Sequence, residues 1–138
     1  MNGAELRVDY ALLTDLHLRV DLSYVNGTRT SDDRPLERIP PLNGTFGLTY
    51  TLAPLDLHVT GRFATEQTRL GEFEEQTDGY VAYDVGAHLD FSQWGLQNTL
   101  VLSVENLFDT AYREHLSRIK QVMPEPGRNV KALYKLNF

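Results

Sequence analysis

Nowhere in these 138 residues, 41% of them hydrophobic, does a stretch approach the roughly 18–20 consecutive apolar residues of a membrane helix, so a helical membrane protein is excluded. The formal charge of -6 has no gathered surplus of Lys and Arg, which excludes nucleic acid as a partner, and the absence of cysteine removes disulfides, thiolate metal sites and thiol nucleophiles. Met1 to Glu5 show neither the basic start nor the apolar run of a signal peptide, while the low average hydropathy is compatible with a membrane β-barrel, whose strands offer lipid an apolar side chain only at every second position.

Apolar residues recur with a period of two through almost the whole chain, which predicts an all-β protein. The first segment sets Ala4, Leu6, Val8, Tyr10 and Leu12 on one face, with Glu5, Arg7, Asp9 and Ala11 on the other. The second sets Leu16, Leu18, Val20, Leu22 and Tyr24 against His17, Arg19, Asp21 and Ser23. Across a three-residue loop at 13–15, facing residues have numbers that sum to 28, so Arg7 faces Asp21 and Asp9 faces Arg19. Two opposite-charge pairs on the polar face are what cross-strand pairing favours. The third segment, from Leu42 to Leu52, turns at Ala53-Pro54 into a fourth, from Leu55 to Phe63. The fifth carries Val81, Tyr83, Val85, Ala87, Leu89 and Phe91 on its apolar face and turns at 92–95 into a sixth ending at Leu107. The seventh alternates Val130, Ala132, Tyr134, Leu136 and Phe138 against Lys131, Leu133, Lys135 and Asn137.

The connections sort by length. Those at 13–15, 53–54 and 92–95 are short, and those at 26–41, 65–79 and 109–128 are long and polar. Tight turns at one end with long loops at the other are the pattern of outer-membrane barrels, the turns lying on the periplasmic side. With odd strands running toward the periplasm, Tyr10, Tyr50, Phe91, Trp94 and Phe138 fall at that end, and Tyr24, Phe63, Tyr83 and Phe108 at the other. Aromatic girdles at both lipid boundaries follow from that one assumption.

Val104-Glu105-Asn106-Leu107-Phe108-Asp109, then Ala111 to Ser117, then Pro126-Gly127-Arg128-Asn129-Val130 and a terminal Phe138, resemble the ending of the TonB-dependent outer-membrane receptors. In that family an Asn-Leu-Phe-Asp motif closes the penultimate strand, Pro-Gly-Arg opens the last, and an aromatic residue ends the chain. Arg38-Ile39-Pro40-Pro41-Leu42 is similar to a weaker pattern of the same receptors. The resemblance implies a transporter in the outer membrane of a Gram-negative bacterium, importing siderophore-iron, haem or another chelated metal or cofactor with energy passed through TonB. It also implies an antiparallel up-and-down transmembrane barrel of about 22 strands around a plug. Seven strands at 1–138, with no plug and no TonB box, then represent the C-terminal part of such a barrel, incomplete because single-chain bacterial barrels have an even strand number. TonB would be reached only through the missing plug. The last segment resembles the signal read by the barrel-assembly machinery, with Tyr134, Leu136 and Phe138 on one face.

For ligand contacts the third long loop is the better candidate: Tyr112, Arg113, His115, Arg118 and Lys120 offer cations and hydrogen-bond donors to an anionic siderophore or haem propionates. The acidic run from Glu66 to Glu75 suits a cationic ligand, or is simply a solvated loop. His58 and His88, with Asp84 on the same polar face, offer imidazole and carboxylate ligands to a transition metal, although a hydrated lumen tolerates such residues without any metal. Ser117 beside His115 lacks a nucleophile elbow, and Gly44 to Gly47 lie within a strand and cannot cradle phosphate, so neither an enzyme nor a cofactor is implied. Two other readings stay open: a small autonomous barrel serving as an adhesin or structural protein, which needs an eighth strand, and a soluble lipocalin-like barrel with its apolar face inside.

Overall fold

The computed structural model describes residues 1–137. Seven strands form one antiparallel sheet in sequence order: β1 (Asn2–Leu13), β2 (Leu16–Asn26), β3 (Asn43–Leu52), β4 (Leu55–Ala64), β5 (Tyr80–Gln93), β6 (Leu96–Glu105) and β7 (Asn129–Asn137). β1 and β7 do not pair with each other, so the sheet is open along both edges, and no eighth strand exists among the described residues. At 9 to 14 residues each, the strands match the length that crosses a bilayer core when tilted.

The β1–β2 register is the one the charges demand, with Arg7 opposite Asp21 and Asp9 opposite Arg19. The turn is tighter than the three residues expected. The sum-of-28 register runs to Ala11 and His17, then shifts so that Leu13 pairs with Leu16; Leu12 is thereby left out as a bulge, and only Thr14 and Asp15 remain in the turn. The expected four-residue turn at 92–95 is likewise two residues, Trp94 and Gly95, with φ of 54° and 78°. Two positive φ values in sequence give a turn whose twist matches that of the flanking strands.

Burial settles which face is the interior. Among described hydrophobic residues only Ala82 and Tyr112 are buried: Ala82 stands in the polar row opposite Arg62, and Tyr112, in the third long loop (106–128), packs over Arg62 and Tyr80 on that same side. The apolar face is bare: Leu6, Val8, Tyr10, Tyr50, Leu57, Val59, Val81, Leu102, Val130 and Tyr134 are all exposed. A soluble barrel would bury these side chains, and lipid is the environment that stabilises them outside. At the loop end of this face Phe46, Tyr83 and Phe108 form a chain of edge-to-face contacts, 5.9 and 5.6 Å between ring centroids. Phe46 lies across Gly61 on the neighbouring strand, where a Cβ would come within 2.1 Å of the ring. An aromatic covering a strand glycine restores the packing the glycine lacks.

A buried amide also sits on this apolar face. Asn98 faces Leu136, yet its side chain is 4% exposed and fully engaged: Nδ2 reaches the carbonyls of Leu96 (3.1 Å) and Phe91 (3.4 Å), and Oδ1 accepts from the Tyr134 hydroxyl. These bonds make an amide tolerable beside lipid.

Candidate functional site

Cross-strand pairing lays the polar face out in rows. One row runs Arg7, Asp21, Thr45, Arg62 and Ala82; the next runs Asp9, Arg19, Gly47, Thr60 and Asp84. The charges alternate and pair: Arg7 Nε donates to Asp21 at 2.5 Å, Arg19 Nε to Asp9 at 2.7 Å, and Arg62 Nε lies 3.2 Å from Asp84. This wall is strongly polar but nearly neutral, the character of a hydrated lumen.

His58 projects over Gly86 on β5, which is free of a side chain that would collide with the ring. His88 faces Asp56 and has its Nε2 3.4 Å from Asp90, while Asp84 is held by Arg62 and by the Asn106 backbone N–H at 2.8 Å. Among the described residues no three His, Asp or Glu side chains converge as a metal-ligand set, so His58, His88 and Asp84 occupy neighbouring positions of one face without forming a joint site.

The third long loop folds back over this wall, and the two motifs noted in the sequence are what hold it. Asn106 leaves β6 with φ of 49°, a left-handed conformation that Asn tolerates, and its side chain is the largest one fully buried among the described residues. Its Oδ1 accepts from Thr110 N–H at 2.8 Å; its Nδ2 donates to the carbonyls of Thr110 (2.9 Å) and Pro126 (3.2 Å). Asp109, also left-handed at φ 56°, accepts from Arg128 N–H at 2.8 Å. A Cβ on Gly127 would sit 2.6 Å from that same carboxylate. Asn-Leu-Phe-Asp and Pro-Gly-Arg therefore clasp each other, drawing the two ends of a 23-residue loop together at the rim of the sheet.

Inside the clasp Tyr112 stacks on Tyr80, the first residue of β5, with centroids 4.2 Å apart, and the Arg62 guanidinium lies 5.9 Å from the Tyr112 ring centre. The Tyr80 hydroxyl donates to Glu114. His115 is buried between the second long loop (65–79) and the third: Nδ1 lies 3.0 Å from Thr77 Oγ1 and 3.3 Å from Lys120 Nζ, and Nε2 lies 3.6 Å from Glu74 Oε1. Burial, and next the Lys120 ammonium, push the His115 imidazole below the ordinary histidine range, against the opposing pull of Glu74. At Glu74 burial disfavours the charge, but the N–H groups of Gly71 and Arg38, with His115 and Lys120 beyond them, prevail and hold the carboxyl below its usual range. Between loop and wall lies a cavity of about 710 Å³, lined by Arg7, Asp21, Thr45, Arg62, Tyr80 and His115 among others.

The ligand candidates named from sequence thus divide. Tyr112 and His115 are buried in the packing of the loop, Lys120 is half-buried and donates to the Glu75 carbonyl at 3.0 Å, and Arg113 and Arg118 are exposed. Of the segment read as an assembly signal, Tyr134 and Leu136 lie on the lipid face, and Phe138 lies outside the described residues. Sequence reasoning missed Tyr80 and Glu114 as loop anchors; the signal available for Tyr80 was its even number, which places it with Ala82 and Asp84 on the polar face.

No curated protein matches the chain. Among solved structures it is similar to the copper transporter OprC, with a TM-score of 0.82 and 28% identity over 96% of this chain; it spans 22% of the length of that transporter. A family model described as the β-barrel of TonB-dependent receptor-like proteins matches residues 1–107, which span the first six strands and the start of the Asn-Leu-Phe-Asp motif. The chain belongs to the TonB-dependent receptor β-barrel family.

Proposed function

We propose that this chain is the C-terminal part of the barrel wall of an outer-membrane, TonB-dependent transporter in a Gram-negative bacterium, whose cargo is a chelated metal or cofactor such as a ferric siderophore or haem. The observation that carries this reading is the division between the two faces: one carries paired charged rows, with the third long loop folded over their Arg62 end, and the other leaves its apolar side chains bare, as a wall between a wet lumen and lipid must. The family match and the likeness to a copper transporter support transport of a metal-bearing solute. On this reading Arg113 and Arg118, exposed on the folded-in loop, are the first contacts for an anionic chelate, and Tyr112, His115 and Lys120 shape the loop that presents them. Coupling to TonB would run through a plug, and insertion through the barrel-assembly machinery acting on the final strand.

The test is deletion of the gene in the bacterium that carries it. Accumulation of labelled ferric siderophores, haem and copper is then measured beside the protein's location on membrane fractionation. Loss of one solute's uptake, with the protein in the outer-membrane fraction, is the expected outcome; undiminished uptake of all three, or recovery from the soluble fraction, would overturn the proposal.

A further inference from the structure

The contacts of His115 form a junction between two loops that nothing else explains. Its side chain is 1% exposed, yet it belongs to no strand and packs no hydrophobic core. It fills a socket made by Thr77 and Glu74 of the second long loop and Lys120 of its own loop, and Lys120 in turn reaches back to the Glu75 carbonyl. We infer that His115 is a proton-sensitive latch: neutral, it fastens the third long loop to the second, and protonated, it releases the loop from over the lumen-side cavity.

The geometry gives the sign. With the ring neutral, Nδ1 is an acceptor and takes a hydrogen bond from the Thr77 hydroxyl or the Lys120 ammonium. Protonation turns Nδ1 into a donor and sets a cation 3.3 Å from the Lys120 Nζ, with the His115 ring enclosed and Lys120 half-buried, so that water screens the pair only in part. Thr77 can reverse its hydroxyl and accept; Lys120 has no acceptor to offer and must withdraw, losing the Glu75 carbonyl with it. Glu74 opposes this, but at 3.6 Å from Nε2 it is beyond hydrogen-bonding range, and two backbone N–H groups already engage its oxygens. Nε2 has no hydrogen-bond partner. The other charged groups facing the cavity are Glu5, Arg7, Asp21 and Arg62 of the wall and Glu114 of the loop; Arg7 and Asp21 pair, with Glu5 two residues from Arg7 on the same strand face, Arg62 lies against Asp84, and Glu114 accepts from Tyr80. Because burial and Lys120 hold the imidazole below its ordinary range, the released loop binds a proton more readily than the latched one. The latch is therefore intact above the ordinary histidine range and weakens as the pH falls through it.

The test uses the full-length protein in native outer-membrane vesicles. This segment has no cysteine of its own, so spin labels can be placed at Phe73→Cys and Val122→Cys, both 84% exposed, on the second and third loops. Label separations are measured by pulsed electron spin resonance at about pH 7.5 and about pH 5.5, which bracket histidine titration. A narrow distribution at the higher pH that broadens to longer distances at the lower is expected, with that response abolished in His115→Gln. Should His115→Gln fail to assemble, Lys120→Met must abolish it instead, since the repelling cation is gone. An unchanged or narrowed distribution in acid, or a pH response that survives either substitution, would overturn the latch. The outcome does not depend on which solute is carried.

Discussion

At one end of the sheet every connection is two residues long; at the other, connections run from 15 to 23 residues, and the two ends achieve order by different means. The short-turn end is locally determined. Trp94 and Gly95 supply the positive φ values of a tight turn, and the Leu12 bulge absorbs the odd residue of the first hairpin. The loop end has no such local rule. Arg69 of the second long loop hydrogen-bonds to Asn26 and Thr28, Gln67 Nε2 reaches the Ile39 carbonyl at 2.8 Å, and Asn106 binds both ends of the third loop. Turns are specified by backbone preference, whereas long loops are specified by satisfying buried polar groups at long range.

This contrast can be broken most severely at Asn106. Replacing it with Ala strands three backbone groups that it now satisfies and puts a side chain ill suited to φ 49° at the strand end. A loss of about 3 kcal/mol is expected, read from the urea midpoint in detergent and from new protease cleavage within the third loop. Cleavage resistance equal to that of the parent would show that the clasp is not what orders the loop. A smaller effect, about 1 to 2 kcal/mol, is expected for Tyr134→Phe, which leaves the Asn98 oxygen without its donor near lipid. Its signature would be loosened pairing of β7, seen as faster amide exchange, with the loops untouched. Gly95→Ala at the opposite end should cost about 1 kcal/mol through its φ of 78° alone, because nothing lies within 4 Å of the added methyl. Smallest of all is exchange of Arg7 with Asp21, which keeps an exposed pair while reversing it; the urea midpoint should not move measurably, and a large shift would mean that charge, not the lipid-facing pattern, sets the register.

The same contrast explains what was legible in the sequence. Alternation located all seven strands, and Arg7, Asp9, Arg19 and Asp21 fixed a register residue by residue, because strand pairing is governed by a period of two and by nearest cross-strand neighbours. Turn length was misjudged by one residue at 13–15 and by two at 92–95, since neither a bulge nor a Trp at positive φ leaves a distinctive pattern. In the loops, polarity was a poor guide to exposure. Tyr112 and His115 read as ligand contacts, and packing against Tyr80 and Thr77, distant in sequence, buries them; no local spacing reports such partners. The Asn-Leu-Phe-Asp and Pro-Gly-Arg motifs were recognisable before their physical role was; only the bonds from Asn106 and Asp109 reveal a clasp.

The strand count carries a rule about assembly. With seven strands, β1 and β7 run in the same direction, so their free edges present the same polarity to whatever adjoins them. A second copy placed edge to edge in rotation would have to join them in parallel, against the alternation of the whole sheet, so a ring of identical copies cannot close as an antiparallel wall. Closure requires a complement that begins and ends with strands running the opposite way, and such a complement always contains an odd number of strands.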